Sequence, residues 1–158
     1  QAGEAGQVRQ RAATCHLAGA SAVSGKSQMA GSVADYLRWK PDFCSVMDER
    51  FYTELWLDNQ VLSGVYRLFC NDDAAILAEL KAYPTGALKV EGVVAAGDMA
   101  TIVQALIPQA EEWGIENGAI AARIESREGW ARALKPYGYE IQQVAIEKDL
   151  PRCLTIGG

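Results

Sequence analysis

Two glutamates, Glu79 and Glu91, sit in short apolar segments where a carboxylate is set among hydrophobic neighbours. Such a group, if it faces a cleft, can take a proton from an amine directly or through water. The plainer role for each is a carboxylate on the solvated side of a strand, which is where Glu is usually found. Arg123, Arg127, Arg132 and Lys135 crowd one stretch further on, where cations can meet phosphates. Glu125 and Glu128 stand among them, so charge pairing on a solvated helix is the simpler reading. Ala20-Ser21-Ala22-Val23-Ser24-Gly25-Lys26-Ser27 satisfies the loose form of a phosphate-binding loop. Its context contradicts that role: no buried strand precedes it, Ala replaces the first Gly, and no apolar strand ending in Asp follows to hold Mg²⁺. Cys15, Cys44, Cys70 and Cys153 are far apart and the single His16 completes no zinc spacing, so no metal is expected and the thiols read as reduced. Trp39, Trp56, Trp113 and Trp130 read as core or interface anchors.

These residues have to be positioned by a chain of 158 residues, 49% hydrophobic and 22% charged, the size and composition of one globular domain. A formal net charge of −5 argues against nucleic acid as a partner. No apolar run approaches the roughly 20 residues that cross a bilayer. The beginning lacks the basic-then-hydrophobic layout of a secretory signal, so no membrane partner and a cytoplasmic setting are expected.

Residues 1–28 are rich in Ala, Gly, Ser and Gln and hold no aromatic side chain, which leaves little apolar surface to offset the entropy of ordering. The division expected is an arm over 1–31, flexible or partner-binding, and one domain over 32–158. Ser45–Leu62 shows mostly helical apolar spacing before Gly64. Segments 65–70, 75–83 and 87–96 are joined by Asn71-Asp72-Asp73 and Pro84-Thr85-Gly86 and predict three antiparallel strands. Asp98 can cap a helix over 98–113, with Pro108 kinking it or ending its first half. Ala119–Glu125 predicts a strand parallel to the third, because a helix joins them. Glu128–Leu134 predicts a short helix and Glu140–Lys148, carrying Ile141, Val144 and Ile146, a last strand. The expected class is α/β (α+β), with a mixed, mostly antiparallel central sheet and helices on both faces.

That order of elements, with the segment Ser126-Arg127-Glu128-Gly129-Trp130-Ala131-Arg132-Ala133-Leu134-Lys135-Pro136-Tyr137-Gly138-Tyr139-Glu140 and the ending Glu147-Lys148-Asp149-Leu150, is similar to the acyl-CoA N-acetyltransferase (GNAT) fold. The resemblance covers roughly Phe51 to Leu150. It implies acetyl-CoA where the third and fourth of these strands splay, with pyrophosphate on backbone N–H groups at the following helix start. The cofactor-binding residues it marks are Val94, Ala96, Gly97, Asp98 and Met99, with Arg127 and Arg132 near the CoA mouth. Placing the family's phosphate turn to end at Ala100 puts Asp98 where its first glycine belongs and Ala95 where Arg or Gln belongs. A carboxylate there repels the anion. The family's frequent Asn early in the short helix is Arg127, and its Tyr acid is Leu134, which leaves Tyr137 and Tyr139 as substitutes.

Two functions follow. One is acetyl transfer from acetyl-CoA to an amine on a small molecule or a protein, with base and acid drawn from Glu79, Glu91, Tyr137 and Tyr139. The other is a catalytically degenerate GNAT-like module, structural or partner-binding, forming a homo-oligomer or holding a protein partner through its N-terminal arm. Short proteins of this kind without the phosphate turn occur among phage and mobile-element proteins.

Overall fold

The computed structural model of the protein describes residues 31–150. The arm up to residue 30, the Ala20–Ser27 loop, Cys15, His16 and Cys153 lie outside the described residues. The chain runs α1 (Val33–Val46), α2 (Glu54–Leu62), β1 (Arg67–Cys70), β2 (Ala74–Ala82) and β3 (Leu88–Gly97). A continuous helical run follows as α3 (Met99–Thr101), a π-helical turn (Ile102–Leu106) and α4 (Ile107–Glu116), and then β4 (Ala119–Ile124) and α5 (Glu128–Leu134).

Ser32 starts α1 with a capping box: its hydroxyl accepts from the Asp35 N–H, and the Asp35 carboxylate accepts from the Ser32 N–H. The helix expected over Ser45–Leu62 is instead two. The chain breaks between Met47 and Thr53, where Asp48 accepts from the backbone and side chain of Arg50. Thr53 then caps a fresh start, its hydroxyl accepting from the Trp56 N–H. Asp58 on α2 joins the pair, accepting from the Tyr36 hydroxyl at 2.7 Å and from Lys40 Nζ at 2.9 Å.

The sheet has the order β1-β2-β3-β4, with the first three strands antiparallel and β4 parallel to β3, as the turn chemistry and the crossover helix required. One face packs Tyr36, Trp39, Phe43 and Leu57 of α1 and α2 against Leu68, Ala75, Leu77 and Ala96. The other packs Ile102, Val103, Leu106, Ile107 and Ala110 of the long helical run, with Leu134 of α5, against Phe69, Ile76, Ala78 and Val90. Burial of each large side chain contributes about 1.5–3 kcal/mol, so two modest cores hold a thin sheet between them.

Pro108 neither ends nor splits its helix. It has no N–H to give the preceding turn, and the helix accommodates this by widening: the Ile107 N–H donates to the Ile102 carbonyl, five residues back. The expected strand over Glu140–Lys148 is not a strand. Residues 140–150 are exposed and pair with no strand among the described residues, with Ile141, Val144 and Ile146 at 70%, 77% and 94% exposure. Their spacing explains it, since Val144 and Ile146 fall on one side of an extended chain and Ile141 on the other. No single face could be buried. Arg50 holds the end of this segment through Asp149, at 3.0 Å.

Candidate active site

The turn Pro84-Thr85-Gly86 sets the register of β2 against β3, and that register places Glu79 opposite Glu91. Glu91 in turn pairs with Arg123 on β4. Arg67 pairs with Ala78, so Tyr66, one residue earlier, continues the same row. Side chains alternate along strands, and Val90 and Ala78 point to the α4 side, so this row of Tyr66, Glu79, Glu91 and Arg123 lies on the α1/α2 side.

The two carboxylates differ. Glu91 is buried, at 8% exposure, and accepts from the Tyr83 hydroxyl at 2.7 Å and from Lys81 Nζ at 3.4 Å. Its oxygens are held by donors from the same hairpin. Glu79 has no hydrogen-bond donor among the described residues, and burial, with Glu91 beside it, raises its pKa above the usual carboxylate value. Glu79 is thus a half-buried carboxyl that holds its proton more firmly than normal and keeps its lone pairs free.

Beyond this row the strands part. Their pairing ends at Gly92 and Ile124, so among the described residues Val93–Gly97 of β3 has no strand on its β4 side. A bulge falls at the same place, because Leu77 pairs with Val94 while Ala78 pairs with Gly92. The extra residue, Val93, brings both it and Val94 against the α1/α2 core. The free backbone of β3 thus begins two residues from Glu91. Val94 and Ala96 lie on it.

Gly97 closes the strand with φ of +95°, and a Cβ there would lie 2.3 Å from the Asp73 carbonyl oxygen, so the turn into α3 needs glycine. Asp98 then caps α3, its carboxylate accepting from the Thr101 N–H and hydroxyl, both at 2.8 Å. Those bonds hold its pKa below the ordinary range. The helix start therefore already carries an anion. Met99 is the first helical residue beside it.

The remaining sequence candidates lie apart from the row. Leu134 is in the core on the α4 side. Tyr139 packs against that same core and donates to Glu111 Oε1 of α4 at 2.5 Å; burial and then Glu111 push its phenol well above the ordinary tyrosine value. Tyr137 is half exposed. Arg127 and Arg132 are exposed at the two ends of α5, whereas Arg123 pairs with Glu125. The structure thus brings Glu79 and Glu91 together near the parting of β3 and β4 and sets Tyr139 on the opposite face. Tyr66, Lys81, Tyr83 and Arg123 join the two glutamates; counting outward from the Pro84–Gly86 turn would have found Lys81 and Tyr83, and from the Asn71–Asp73 turn Tyr66.

Several solved structures share this fold. Glucosamine-6-phosphate N-acetyltransferase from Arabidopsis thaliana superposes with a TM-score of 0.57 at 6% identity, covering 78% of this chain and 97% of that one. An aminoglycoside 6'-N-acetyltransferase from Acinetobacter haemolyticus gives 0.56 at 15% identity, over 78% and 97% of the two chains. A further aminoglycoside N-acetyltransferase, solved in complex with CoA, gives 0.55 at 13%, over 76% and 91%.

The fold is that of the GNAT acetyltransferases.

No protein-family model and no curated protein matches the chain. At such identities the likeness carries the GNAT fold and not the chemistry. Among the described residues there is no helix long and apolar enough to cross a membrane, and no group of three or more His, Cys, Asp or Glu able to hold a metal ion.

Proposed function

We propose that this GNAT-fold protein transfers an acetyl group from acetyl-CoA to an amine, with Glu79 as the general base. The observation that carries this reading is the pair of unlike carboxylates at the end of the β3–β4 pairing: Glu91 held by Tyr83 and Lys81, Glu79 unpaired and raised in pKa. An amine attacks a thioester only as its neutral form, so a base near the acceptor is the group the reaction needs from the protein. Glu79 accepts the proton as the amine nitrogen bonds to the acyl carbon and the carbon–sulfur bond breaks. Burial first and then the neighbouring Glu91 raise the proton affinity of Glu79.

Acetyl-CoA supplies the activated acyl group. The β3 backbone from Val93 to Ala96, open on its β4 side, fits an amide-bearing arm that needs strand-like hydrogen bonds. The phosphate end fits less well. Asp98 satisfies the Thr101 N–H and places a carboxylate where a pyrophosphate would seek N–H donors. Affinity should therefore be weak, with Arg127 and Arg132 as the cations that can offset it.

A second reading is favoured by the same Asp98 and by Leu134, which occupies the core at 3% exposure where the family commonly has its acid. On it the domain keeps the fold without the chemistry and serves as a structural or partner-binding module. Titrating acetyl-CoA while following the melting temperature separates the two. A ligand at 100 times its dissociation constant stabilises by about 2.7 kcal/mol, so a rising melting temperature supports transfer, and none up to millimolar acetyl-CoA supports the module.

A further inference from the structure

The α2 side of Glu79 is aromatic. Trp56 of α2 packs between two tyrosines, with ring centroids 5.0 Å from Tyr52 and 5.8 Å, edge-on, from Tyr66. Tyr66 is next to Glu79 in the cross-sheet row, and burial, then the nearby Glu79 carboxylate and Tyr52, push its hydroxyl pKa up to about 12. Tyr52, Tyr66 and Glu79 thus converge on one spot. The buried wall of that spot is Tyr66, at 8% exposure, and Tyr52 is 46% exposed; Phe51 and Leu55, next to Tyr52 and Trp56 in the chain, are 66% and 69% exposed. Tyr52 packs on Trp56 and still leaves nearly half its surface exposed, and its chain neighbour Phe51 and the α2 residue Leu55 next to Trp56 add exposed apolar surface beside it.

We infer that this shelf of Tyr52, Trp56 and Tyr66, closed by Glu79, binds the ammonium group of a small molecule whose body is apolar or aromatic. Two interactions select the cation. Aromatic faces attract it through their negative quadrupoles, and an unpaired carboxylate completes a charge-assisted hydrogen bond. Phe51 and Leu55 would cover the apolar body. The lysine of a peptide also carries an ammonium, but it brings polar backbone to a mouth that offers no hydrogen-bonding partners on those two side chains.

This inference rests on the reading of Glu79 as the acceptor-side group, but it concerns binding and is measured without acetyl-CoA. The experiment follows the indole N–H signals of the ¹⁵N-labelled protein during titration with phenethylamine, 2-phenylethanol and ethylamine, with Trp56 assigned from Trp56→Phe. Phenethylamine should shift the Trp56 signal and bind about tenfold more tightly than either comparison compound. Glu79→Gln should abolish the preference for the amine over the alcohol, and Tyr52→Ala, at an exposed position, should weaken phenethylamine while leaving the melting temperature nearly unchanged. Equal binding of amine and alcohol, an unaltered preference in Glu79→Gln, or shifts confined to other indoles would overturn it. Amine binding without acetyl transfer would defeat the transferase reading and leave this one standing.

Discussion

Tyr139→Phe removes one oxygen and separates a strut from a catalytic acid. The Tyr139 hydroxyl donates to Glu111 at 2.5 Å, on the α4 side of the sheet, whereas Glu79 and Glu91 are on the other. Burial and the bond both hold the proton on the phenol, which disfavours its donation to a leaving thiolate. A hydrogen bond to a charged group contributes about 1.5–3 kcal/mol, and a domain of this size loses about 3 °C of melting temperature per kcal/mol. The variant should therefore melt about 5–9 °C lower by calorimetry at pH 7. Its acetyl-transfer rate, measured well below that temperature, should stay within about threefold of the parent. A melting temperature unchanged within 2 °C, together with a hundredfold loss of rate, would refute the argument and make Tyr139 the acid.

Glu79→Gln should raise the melting temperature at pH 7 while lowering transfer. A carboxyl whose folded pKa is raised contributes stability that is present below its unfolded pKa and lost as pH rises through the folded one, so the variant's advantage should disappear below pH 4. Asp58 has the opposite sign. Lys40 first and then Tyr36 lower its pKa, so its contribution is present above the unfolded carboxylate pKa and lost as pH falls through the folded one; Asp58→Asn should flatten the acid limb of the stability curve. Gly97→Ala meets backbone atoms at 2.3 and 2.7 Å in a left-handed conformation. A strained residue of that kind costs about 1–3 kcal/mol before the clash is counted, so the melting temperature should fall by at least about 5 °C.

The sheet was legible because turns and crossovers are local signals. Asn71–Asp73 and Pro84–Gly86 set two hairpins, and a helix between β3 and β4 required them to be parallel. The helices were read less well, for stated reasons. No element was expected over most of α1, where Pro41 lies inside the helix, while the apolar residues from Val46 to Leu62 keep near-helical spacing across a real break at Asp48–Thr53. The last strand failed because its apolar residues are divided between two faces. In the site, Glu79 and Glu91 were found by type, but their difference was not: only the donors Tyr83 and Lys81, delivered by the hairpin register, tell the held carboxylate from the free one. Tyr52, Trp56 and Tyr66 meet through the docking of α2, which no short spacing encodes.

The central claim is that Glu79 is the base in acetyl transfer, and the direct measurement is release of CoA thiol from acetyl-CoA with phenethylamine as acceptor, in the parent, Glu79→Gln and Glu91→Gln. The account predicts amine-dependent release that falls about 10²–10⁴-fold in Glu79→Gln and less in Glu91→Gln, with the acid limb of the Glu91→Gln rate profile moved to lower pH as the neighbouring charge is lost. Absence of amine-dependent release from the parent, or equal rates in the parent and Glu79→Gln, would contradict it.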